Sequence, residues 1–190
     1  MIIIRFFLLA VALIGSMLIL NENGVLQRLD DYSWETSRFT VAKDQALQIE
    51  LPVEMHYLDG SDEGYIVSQA EGDHIFVDLH SENLHLSDDR KKYMQEEPHK
   101  RIYKIIDKYN VQNVELTSQK SELVNHIPLR RFHFVGQLDG YDVEVEVAAL
   151  SRRNVGWFFT FLYDTGDLEA ERQVQKAIES LKYVKKSQYK

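Results

Sequence analysis

The stretch that decides the fold is GYDVEVEVAALSRRNVGWFFTFLYD, residues 140–164. Its first half alternates apolar and acidic residues, and its buried face is predicted to consist of Tyr141, Val143, Val145 and Val147. Its second half is apolar on both faces, which are formed by Trp157, Phe159 and Phe161 and by Phe158 and Leu162. Such a strand is typical of a sheet that is covered on both sides. The stretch therefore predicts a core β-hairpin, with Glu144 and Glu146 facing solvent or the edge of a helix.

Five further segments have the composition and alternation of β-strands. They are RFTVA, QALQIELP, GYIVSQA, DHIFVDLHS and PLRRFHFVGQLDG. In the last of them, Phe132 and Phe134 share one face and Arg131 and His133 share the other. The segment VQNVELTSQKSELVN has a weaker pattern and predicts only a weak strand and a loop.

Two segments have helical character. Residues 86–110 offer Ser87 as an N-cap, and Pro98 is expected to break or restart the helix. The apolar stripe of its second half consists of Ile102, Ile105, Ile106 and Tyr109. The final segment, DTGDLEAERQVQKAIESLKYV, carries Leu168, Val174, Ile178 and Leu181. We predict an α+β fold in which helices cover an antiparallel β-sheet, as an α/β/α sandwich with a solvated basic tail.

The chain begins with the apolar run MIIIRFFLLAVALIGSMLIL, whose only charged residue is Arg5. A helix that spans a bilayer needs about 20 apolar residues, so residues 2–20 predict an N-terminal hydrophobic helix that crosses the membrane. Because positive charge stays on the cytoplasmic side, Arg5 places the rest of the chain outside. The alternatives are a cleaved signal peptide and a buried core helix, the latter disfavoured because no apolar/polar periodicity precedes Asn21. These features predict an anchor or signal segment at 1–22, a tether at 23–37 and a domain at 38–190.

Charge and cysteine content exclude several classes of function. The chain has 22 basic and 30 acidic residues, a net charge of −8 and no cysteine. An acidic domain repels phosphate backbones, so we expect no nucleic-acid partner. Disulfides, thiolate metal sites and cysteine nucleophiles are excluded by composition. A cysteine-free exported domain is ordinary in the bacterial periplasm. We therefore expect a single-pass protein of the bacterial inner membrane with a periplasmic C-terminal domain, or an exported protein if the leader is cleaved.

The order of the predicted elements resembles the PsbP-like fold. FTVAKDQALQIELPVEM resembles the opening strands of that family, and GWFFTFLYD followed by QKAIESLKYV resembles its last strand and closing helix. The likeness covers about residues 38–184 and consists of core positions without a chemical motif. This chain departs from the pattern in having no Trp just after Pro52 and in its long charged segment at 81–100. The resemblance implies an antiparallel sheet between helices and a non-enzymatic interaction module.

The sequence contains no recognisable catalytic motif. It has no glycine-rich phosphate loop, no G-x-S-x-G and no H-E-x-x-H. The segment DGSDEGYIV places Asp59, Ser61 and Glu63 as in a calcium loop, but Ala70 occupies the position of the bidentate Glu. We interpret this segment as a solvated acidic hairpin loop.

The candidate metal ligands are His74, Asp78 and His80, which share one face of a predicted strand, with His85 nearby. Same-face neighbours on a strand lie about 6–7 Å apart, and imidazole and carboxylate groups suit zinc or copper. However, Phe76 interrupts the set, and histidines on an exposed strand are usually polar-face residues. We therefore predict no metal site and no cofactor.

The sequence supports two functions of different classes. The first is a membrane-tethered, non-catalytic accessory or assembly module that binds a protein partner on the outer face of the membrane. The alternative is a metal- or small-ligand-binding enzyme domain that uses His74, Asp78 and His80. The first requires an open polar surface on the sheet, whereas the second requires a pocket on which these three side chains converge.

Overall fold

The structure is a computed structural model that describes residues 33–42, 44–57, 67–83, 98–152 and 155–185. In these ranges the strands are β1 (Glu35–Ala42), β2 (Gln45–Leu51), β3 (His56–Tyr57), β4 (Val67–Glu71), β5 (Phe76–Asn83), β6 (Gln112–Val124), β7 (Ile127–Leu138), β8 (Tyr141–Arg152), β9 (Val155–Asp164) and β10 (Lys182–Lys185). The helices are α1 (Pro98–Ile106) and α2 (Leu168–Ser180), and a 3₁₀ turn follows α1 at Asp107–Tyr109. The expectations for residues 1–22, for the acidic loop at 59–64 and for Ser87 and His85 fall outside these ranges.

The strands form two antiparallel sheets. The larger sheet has seven strands in the order β3-β4-β5-β9-β8-β7-β6, so that β9 is its central strand. The smaller sheet has the order β1-β2-β10. Two hairpins of the larger sheet turn over two residues each, at Asn125–His126 and Asp139–Gly140, and all four residues have positive φ. This backbone conformation matches the twist of the flanking strands and favours Asn, Asp and Gly.

One core lies between the seven-stranded sheet, the three-stranded sheet and α2. It contains Leu47 of β2, Phe159 of β9 and Ile178 of α2, none of which is exposed to solvent. The ring of Phe39 lies 6.2 Å from that of Trp157 and 6.2 Å from that of Phe159, measured between centroids. This face of the larger sheet is called the α2 face below.

A second core lies on the opposite face of the larger sheet, under α1. Its buried side chains are Ile102, Ile105, Ile106, Val111, Phe132, Phe134, Val143, Val145, Val147 and Phe158. The helix begins at Pro98, where the sequence predicted a break or a restart. Its three isoleucines are buried as part of the predicted stripe, and Tyr109, the fourth member, lies partly buried in the 3₁₀ turn. This face is called the α1 face below.

The central strand β9 is buried on both faces, as the sequence predicted. Trp157, Phe159 and Phe161 belong to the core of the α2 face, and Phe158 belongs to the core of the α1 face. Each of the four is at most 1% exposed. The hairpin of β8 and β9 is therefore the centre of the fold, because both cores depend on it.

Three sequence expectations about the elements need correction. Residues 112–124, predicted as a weak strand and loop, form the 13-residue strand β6. Its residues are mostly exposed, so it lacks the buried face that would have produced a clear pattern. Residues 182–185, predicted as the end of the last helix and a solvated tail, form β10 and pair with β2. The third correction concerns the layers: the α2 face is covered by a small sheet as well as by a helix, and the described part of the chain consists mostly of antiparallel sheet.

Two side chains predicted to be buried are exposed, and one boundary lies earlier than expected. Tyr141 is 74% exposed and Leu168 is 69% exposed, because each stands at the first position of its element, beyond the neighbouring layer. Strand β1 begins at Glu35, within the segment expected to be a tether, and the partly buried Trp34 packs against the core. Within the described ranges, no helix is long and apolar enough to cross a membrane.

Candidate functional site

The α2 face of the larger sheet changes from apolar to polar along three adjacent strands. On β7, the buried Leu129 is followed on the same face by Arg131 and His133. On β8, the buried Ala148 lies two positions from Glu146, and Glu144 comes next on that face. The polar part is completed by Tyr163 on β9. We call these five residues, Arg131, His133, Glu144, Glu146 and Tyr163, the groove floor.

The groove floor and one side of α2 enclose an open groove of about 610 Å³. The α2 side, which we call the helix wall, is formed by Glu171, Arg172, Val174, Gln175, Lys176 and Glu179. Pockets for small molecules are lined predominantly by apolar and aromatic side chains. Here the lining is mostly charged, with Val174 as its aliphatic member. The groove therefore suits a polar, extended ligand better than a small apolar one.

Arg131 is the centre of a charge network in the groove floor. Its Nε donates to Oε1 of Glu146 at 2.5 Å, and a terminal nitrogen donates to Oε1 of Gln175 on α2 at 2.7 Å. The same terminal nitrogen lies 3.5 Å from Oε1 of Glu122 on β6. Arg131 and Glu146 are both buried, so their charges are stabilised mainly by one another. The network fixes the guanidinium between three strands and the helix wall.

His133 is held at both ring nitrogens. Nε2 lies 2.8 Å from Oε2 of Glu144, and Nδ1 lies 2.7 Å from the hydroxyl of Thr117, which also donates to the backbone carbonyl of His133. The other carboxylate oxygen of Glu144 accepts from the backbone N–H of Gly166 at 3.3 Å. The two glutamates of the groove floor are therefore each fixed by a basic side chain, and their side chains line the groove.

Tyr163 closes the floor beside these glutamates. Burial raises the pKa of its hydroxyl far above the ordinary value, and the negative charges of Glu144 and Glu146 raise it further. The phenol is therefore neutral at every physiological pH. It contributes a hydrogen-bonding hydroxyl to the groove and no charge.

The basic side chains of the helix wall also have partners. Arg172 pairs with Glu169 one turn earlier on α2, and the ammonium of Lys176 lies 3.8 Å from the centroid of the Trp34 ring. A carboxylate offers about four acceptor positions, so a glutamate bound to one cation still accepts hydrogen bonds from a ligand. The arrangement is suited to hydrogen bonding with the amide groups and charged side chains of an extended partner.

The sequence-predicted ligand His74 makes an ion pair at the start of α2. Its Nδ1 lies 2.8 Å from Oδ2 of Asp167, whose other oxygen caps the helix by accepting from the backbone N–H groups of Glu169 and Ala170. The hydrogen bond with Asp167 raises the pKa of His74. Burial alone would raise the pKa of Asp167, but the bonds from His74 and the helix backbone lower it.

The sequence-predicted ligand Asp78 is buried on the α1 face. The hydroxyl of Tyr109, in the 3₁₀ turn after α1, donates to Oδ2 of Asp78. Burial raises the pKa of Asp78, and the bond from Tyr109 opposes part of that rise. The ring of Tyr109 also contacts that of Phe76 edge-on, with centroids 5.8 Å apart. This cluster attaches the end of α1 to β5.

The three candidate ligands do not converge. His74 bonds to Asp167, Asp78 bonds to Tyr109, and the ring of His80 lies 6.4 Å from that of Phe158. Among the described residues, no group of three or more His, Asp and Glu side chains is placed to hold a metal ion. His85 lies outside those residues. The absence of a metal site from the whole protein stays a prediction.

The groove residues were visible in the sequence, but their role was not. The alternation of PLRRFHF and of YDVEVEV indicated a row of basic and a row of acidic side chains on neighbouring strands. Opposite charges on adjacent strands stabilise one another, so that signal could have indicated that the two rows lie side by side, although not which basic residue bonds to which glutamate. The helix wall could not be inferred, because it depends on where α2 packs.

Comparisons with known proteins bear on the fold. The sequence matches no protein-family model and no curated protein. The solution structure of cyanobacterial PsbP (CyanoP) from Synechocystis sp. PCC 6803 superposes with a TM-score of 0.56 and 8% identity, over 78% of this chain and 92% of that one. The crystal structure of PA94 from Pseudomonas aeruginosa, a protein of unknown function and putative regulator, superposes with a TM-score of 0.47 and 14% identity, over 78% of this chain and 96% of that one. The Saccharomyces cerevisiae Ran-binding protein Mog1p gives 0.45 and 9% over 79% and 96%. The resemblance found in the sequence is confirmed by the CyanoP superposition: the chain has a PsbP-like fold.

Proposed function

We propose that the protein is a non-catalytic accessory module that binds a protein partner in the groove between the floor and the helix wall. The observation that carries this proposal is the chemistry of the groove, which is open, polar and lined by side chains fixed through mutual pairs. Side chains held in place before binding lose little conformational entropy when a partner docks. A protein segment with its own charges and amide groups matches such a lining better than an apolar metabolite does.

The proposal includes the tether and the location predicted from the sequence. The apolar residues 2–20 would hold the chain in the inner membrane of a bacterium, with residues 38–190 on the periplasmic side. If the leader is cleaved, the same domain would be exported. Two reporters fused after Lys190 test this part, one active only in the cytoplasm and one active only outside it. Activity of the cytoplasmic reporter alone would contradict the proposed orientation.

The groove is tested by reversing charges at its exposed rim. Glu171 and Glu179 lie on the helix wall and are exposed, so a Glu171→Lys/Glu179→Lys variant alters the groove without disturbing either core. A Glu54→Lys/Glu115→Lys variant makes the same change of net charge at exposed positions outside the groove. Each chain carries a C-terminal affinity tag and is purified from its native membrane.

We expect a protein that co-purifies with the wild-type chain to be retained by the control variant and lost from the groove variant. In the groove variant, partner groups that pair with the two glutamates would face lysines of the same charge, and like charges at a rim suppress association. In the control variant the new lysines lie outside the groove and have little effect on it. Equal recovery of that protein with all three chains would show that it binds elsewhere and would contradict the proposed role of the groove.

A further inference from the structure

Strand β6 is the outer strand at one end of the seven-stranded sheet. It is 13 residues long, whereas the outer strand at the other end, β3, has two residues. In the described part of the chain, no strand pairs with the outer side of β6. A long open edge presents unpaired backbone N–H and C=O groups and is a template for another strand.

The part of β6 that is regular enough to receive a strand is short and has a clear centre. Ser118–Val124 pairs with β7 residue by residue, without a shift in register. An irregularity between Leu116 and Ser118 ends this run on one side, and the turn at Asn125–His126 ends it on the other. The middle residue of the seven is Ser121.

The direction of the backbone groups follows from the hairpin. Val124 and Ile127 flank the two-residue turn, so they form a hydrogen-bonded pair, and hydrogen-bonded pairs then alternate along the strands. The residues of β6 that bond to β7 are therefore Ser118, Lys120, Glu122 and Val124. Gln119, Ser121 and Leu123 direct their backbone N–H and C=O groups outward. The turn at Asp139–Gly140 leads to the same result for β7. It makes the even-numbered residues of β7 hydrogen-bond to β8, so that the odd-numbered residues hydrogen-bond to β6.

We propose that this open edge is a self-association surface, on which a second copy of this chain pairs antiparallel about a two-fold axis through Ser121. In that register, Ser121 pairs with itself across the axis, and Gln119 pairs with Leu123 of the other copy. All of the outward-directed backbone groups of the regular run are then used. The proposal does not rest on the function assigned to the groove.

The charges of Lys120 and Glu122 favour this register over the two registers that are centred one residue to either side. Pairing about Ser121 places Lys120 of each copy directly opposite Glu122 of the other. Pairing about Lys120 would place two lysines opposite each other, and pairing about Glu122 would do the same with two glutamates. Like charges directly opposite are destabilising, and opposite charges stabilise the pair. Within one copy, Nζ of Lys120 already lies 3.1 Å from Oε2 of Glu122, so the two copies would form an alternating ring of four charges.

The surface is small, which sets the strength of the association. Leu123 is 68% exposed and would be covered by Gln119 of the second copy. Seven residues from each copy bury less area than the roughly 1,200–2,000 Å² of a stable interface. We therefore expect a reversible dimer whose population rises with the concentration of the protein. Detecting such a dimer requires a test that traps it.

Cysteine substitution provides that test, because the chain has no cysteine of its own. In Ser121→Cys, the two Cα atoms would lie about 5.5 Å apart across the axis, within the range of about 4.4–6.8 Å that a disulfide requires. In the control Gln119→Cys, on the same face of the same strand, the two positions are four residues out of register, about 13 Å apart. The full chain is expressed with two different tags, oxidised mildly in its native membrane and examined for dimers that contain both tags.

We expect a several-fold higher yield of the two-tag dimer with Ser121→Cys than with Gln119→Cys. In the Ser121→Cys background, Lys120→Glu should lower the yield, and so should Glu122→Lys. A mixture of those two chains should regain it, because each lysine then faces a glutamate of the other copy. Near-ultraviolet circular dichroism establishes that each variant is folded.

Three results would overturn the proposal. Equal yields at positions 119 and 121 would mean that the copies collide without a register. Charge reversals that leave the yield of Ser121→Cys unchanged would mean that Lys120 does not face Glu122. A cross-link of Ser121→Cys to a different protein, with no two-tag dimer, would mean that the edge receives another partner.

Discussion

The α2 face of the larger sheet has two halves of opposite chemistry, although the same strands run through both. In the apolar half, Leu129, Ala148 and Phe159 lie buried under α2 and the three-stranded sheet. In the polar half, Arg131 and Glu146 line an open groove. The change takes place from one same-face position to the next on β7 and on β8. We therefore expect stability to reside in the apolar half and recognition to take place in the polar half.

The largest effect is expected in the apolar half. Trp157→Ala and Phe159→Ala should each lower the free energy of unfolding by about 3–5 kcal/mol, because both remove a large, fully buried ring. Gln119→Ala, on the exposed strand β6, should change it by no more than about 0.5 kcal/mol. Denaturant unfolding of the full chain measures all three. A loss below about 1 kcal/mol at both aromatic positions would remove the distinction between the two halves.

The next effect tests whether the polar half is needed for stability. Arg131→Met should cost about 3 kcal/mol, because it leaves the buried carboxylate of Glu146 without its cation. The double variant Arg131→Met/Glu146→Leu should regain most of that loss, since an apolar pair replaces a buried ion pair at little cost. If the double variant is as unstable as the single one, the ion pair is itself required for the fold, and stability does not reside in the apolar half alone.

A smaller effect is expected where the β6–β7 turn meets the end of α2. The amide of Asn125 donates to the backbone carbonyls of Glu179 at 2.8 Å and of Leu181 at 3.0 Å. Asn125→Gly keeps the positive φ but removes both bonds, and should cost about 1 kcal/mol. Asn113→Gly is the matched control, because Asn113 also has positive φ and its amide, within the described residues, donates to the exposed side chain of Gln137 alone. Equal losses at both positions would show that the loss comes from the greater freedom of glycine in the unfolded chain and that the two bonds contribute nothing.

The smallest effect is a dependence on pH at the start of α2, where His74 pairs with the N-cap residue Asp167. The pKa of His74 is raised from 6.5, so the stability it contributes is complete below that pH and is lost as the pH rises through the folded-state value. The pKa of Asp167 is lowered from 3.8, so its contribution is complete above that pH and is lost on acidification. Between these two values, His74→Gln should be less stable than the wild type, and the difference should shrink at alkaline pH.

Asp167→Asn provides the control for this pair. Asparagine retains the N-cap of α2 but has no charge, so the dependence on His74 should disappear in that background. Unfolding measured across the pH range in all four combinations gives the coupling between the two residues. A coupling that does not change with pH would show that the contact between His74 and Asp167 is a neutral hydrogen bond.

The parts of the fold that the sequence predicted are those in which burial leaves a pattern. β9 is apolar on both faces because two cores need it, and α1 has its stripe because one face packs on Phe132 and Phe134. β6 has neither pattern, because an outer strand is held by backbone bonds to one neighbour and leaves its side chains in solvent. β10 depends on pairing with β2, more than 130 residues earlier, and nothing in LKYV distinguishes it from the end of a helix.

The candidate site was predictable only in its composition. The register places His133 directly opposite Glu146, yet His133 bonds to Glu144 and Arg131 bonds to Glu146. These diagonal contacts arise from the geometry of the twisted sheet and not from the order of residues. His74 and Asp167 are separated by 93 residues, so their pairing also depends on how α2 docks. The sequence could therefore indicate a polar surface but could not place its members in pairs.

The strand order β1-β2-β10 has a consequence for how the protein is made. β1 directly precedes β2 in the chain and can pair with it at once. The second neighbour, β10, is made much later, and it pairs through Lys182 with Gln48 and through Lys185 with Gln45. While the ribosome is still producing the residues in between, one edge of β2 is open and its apolar side chains lack the cover of α2. The nascent chain cannot complete its native structure until β10 has emerged, and until then it presents a strand that invites aggregation. We therefore expect the growing chain to depend on protection from aggregation, such as that of a chaperone, until β10 has been made.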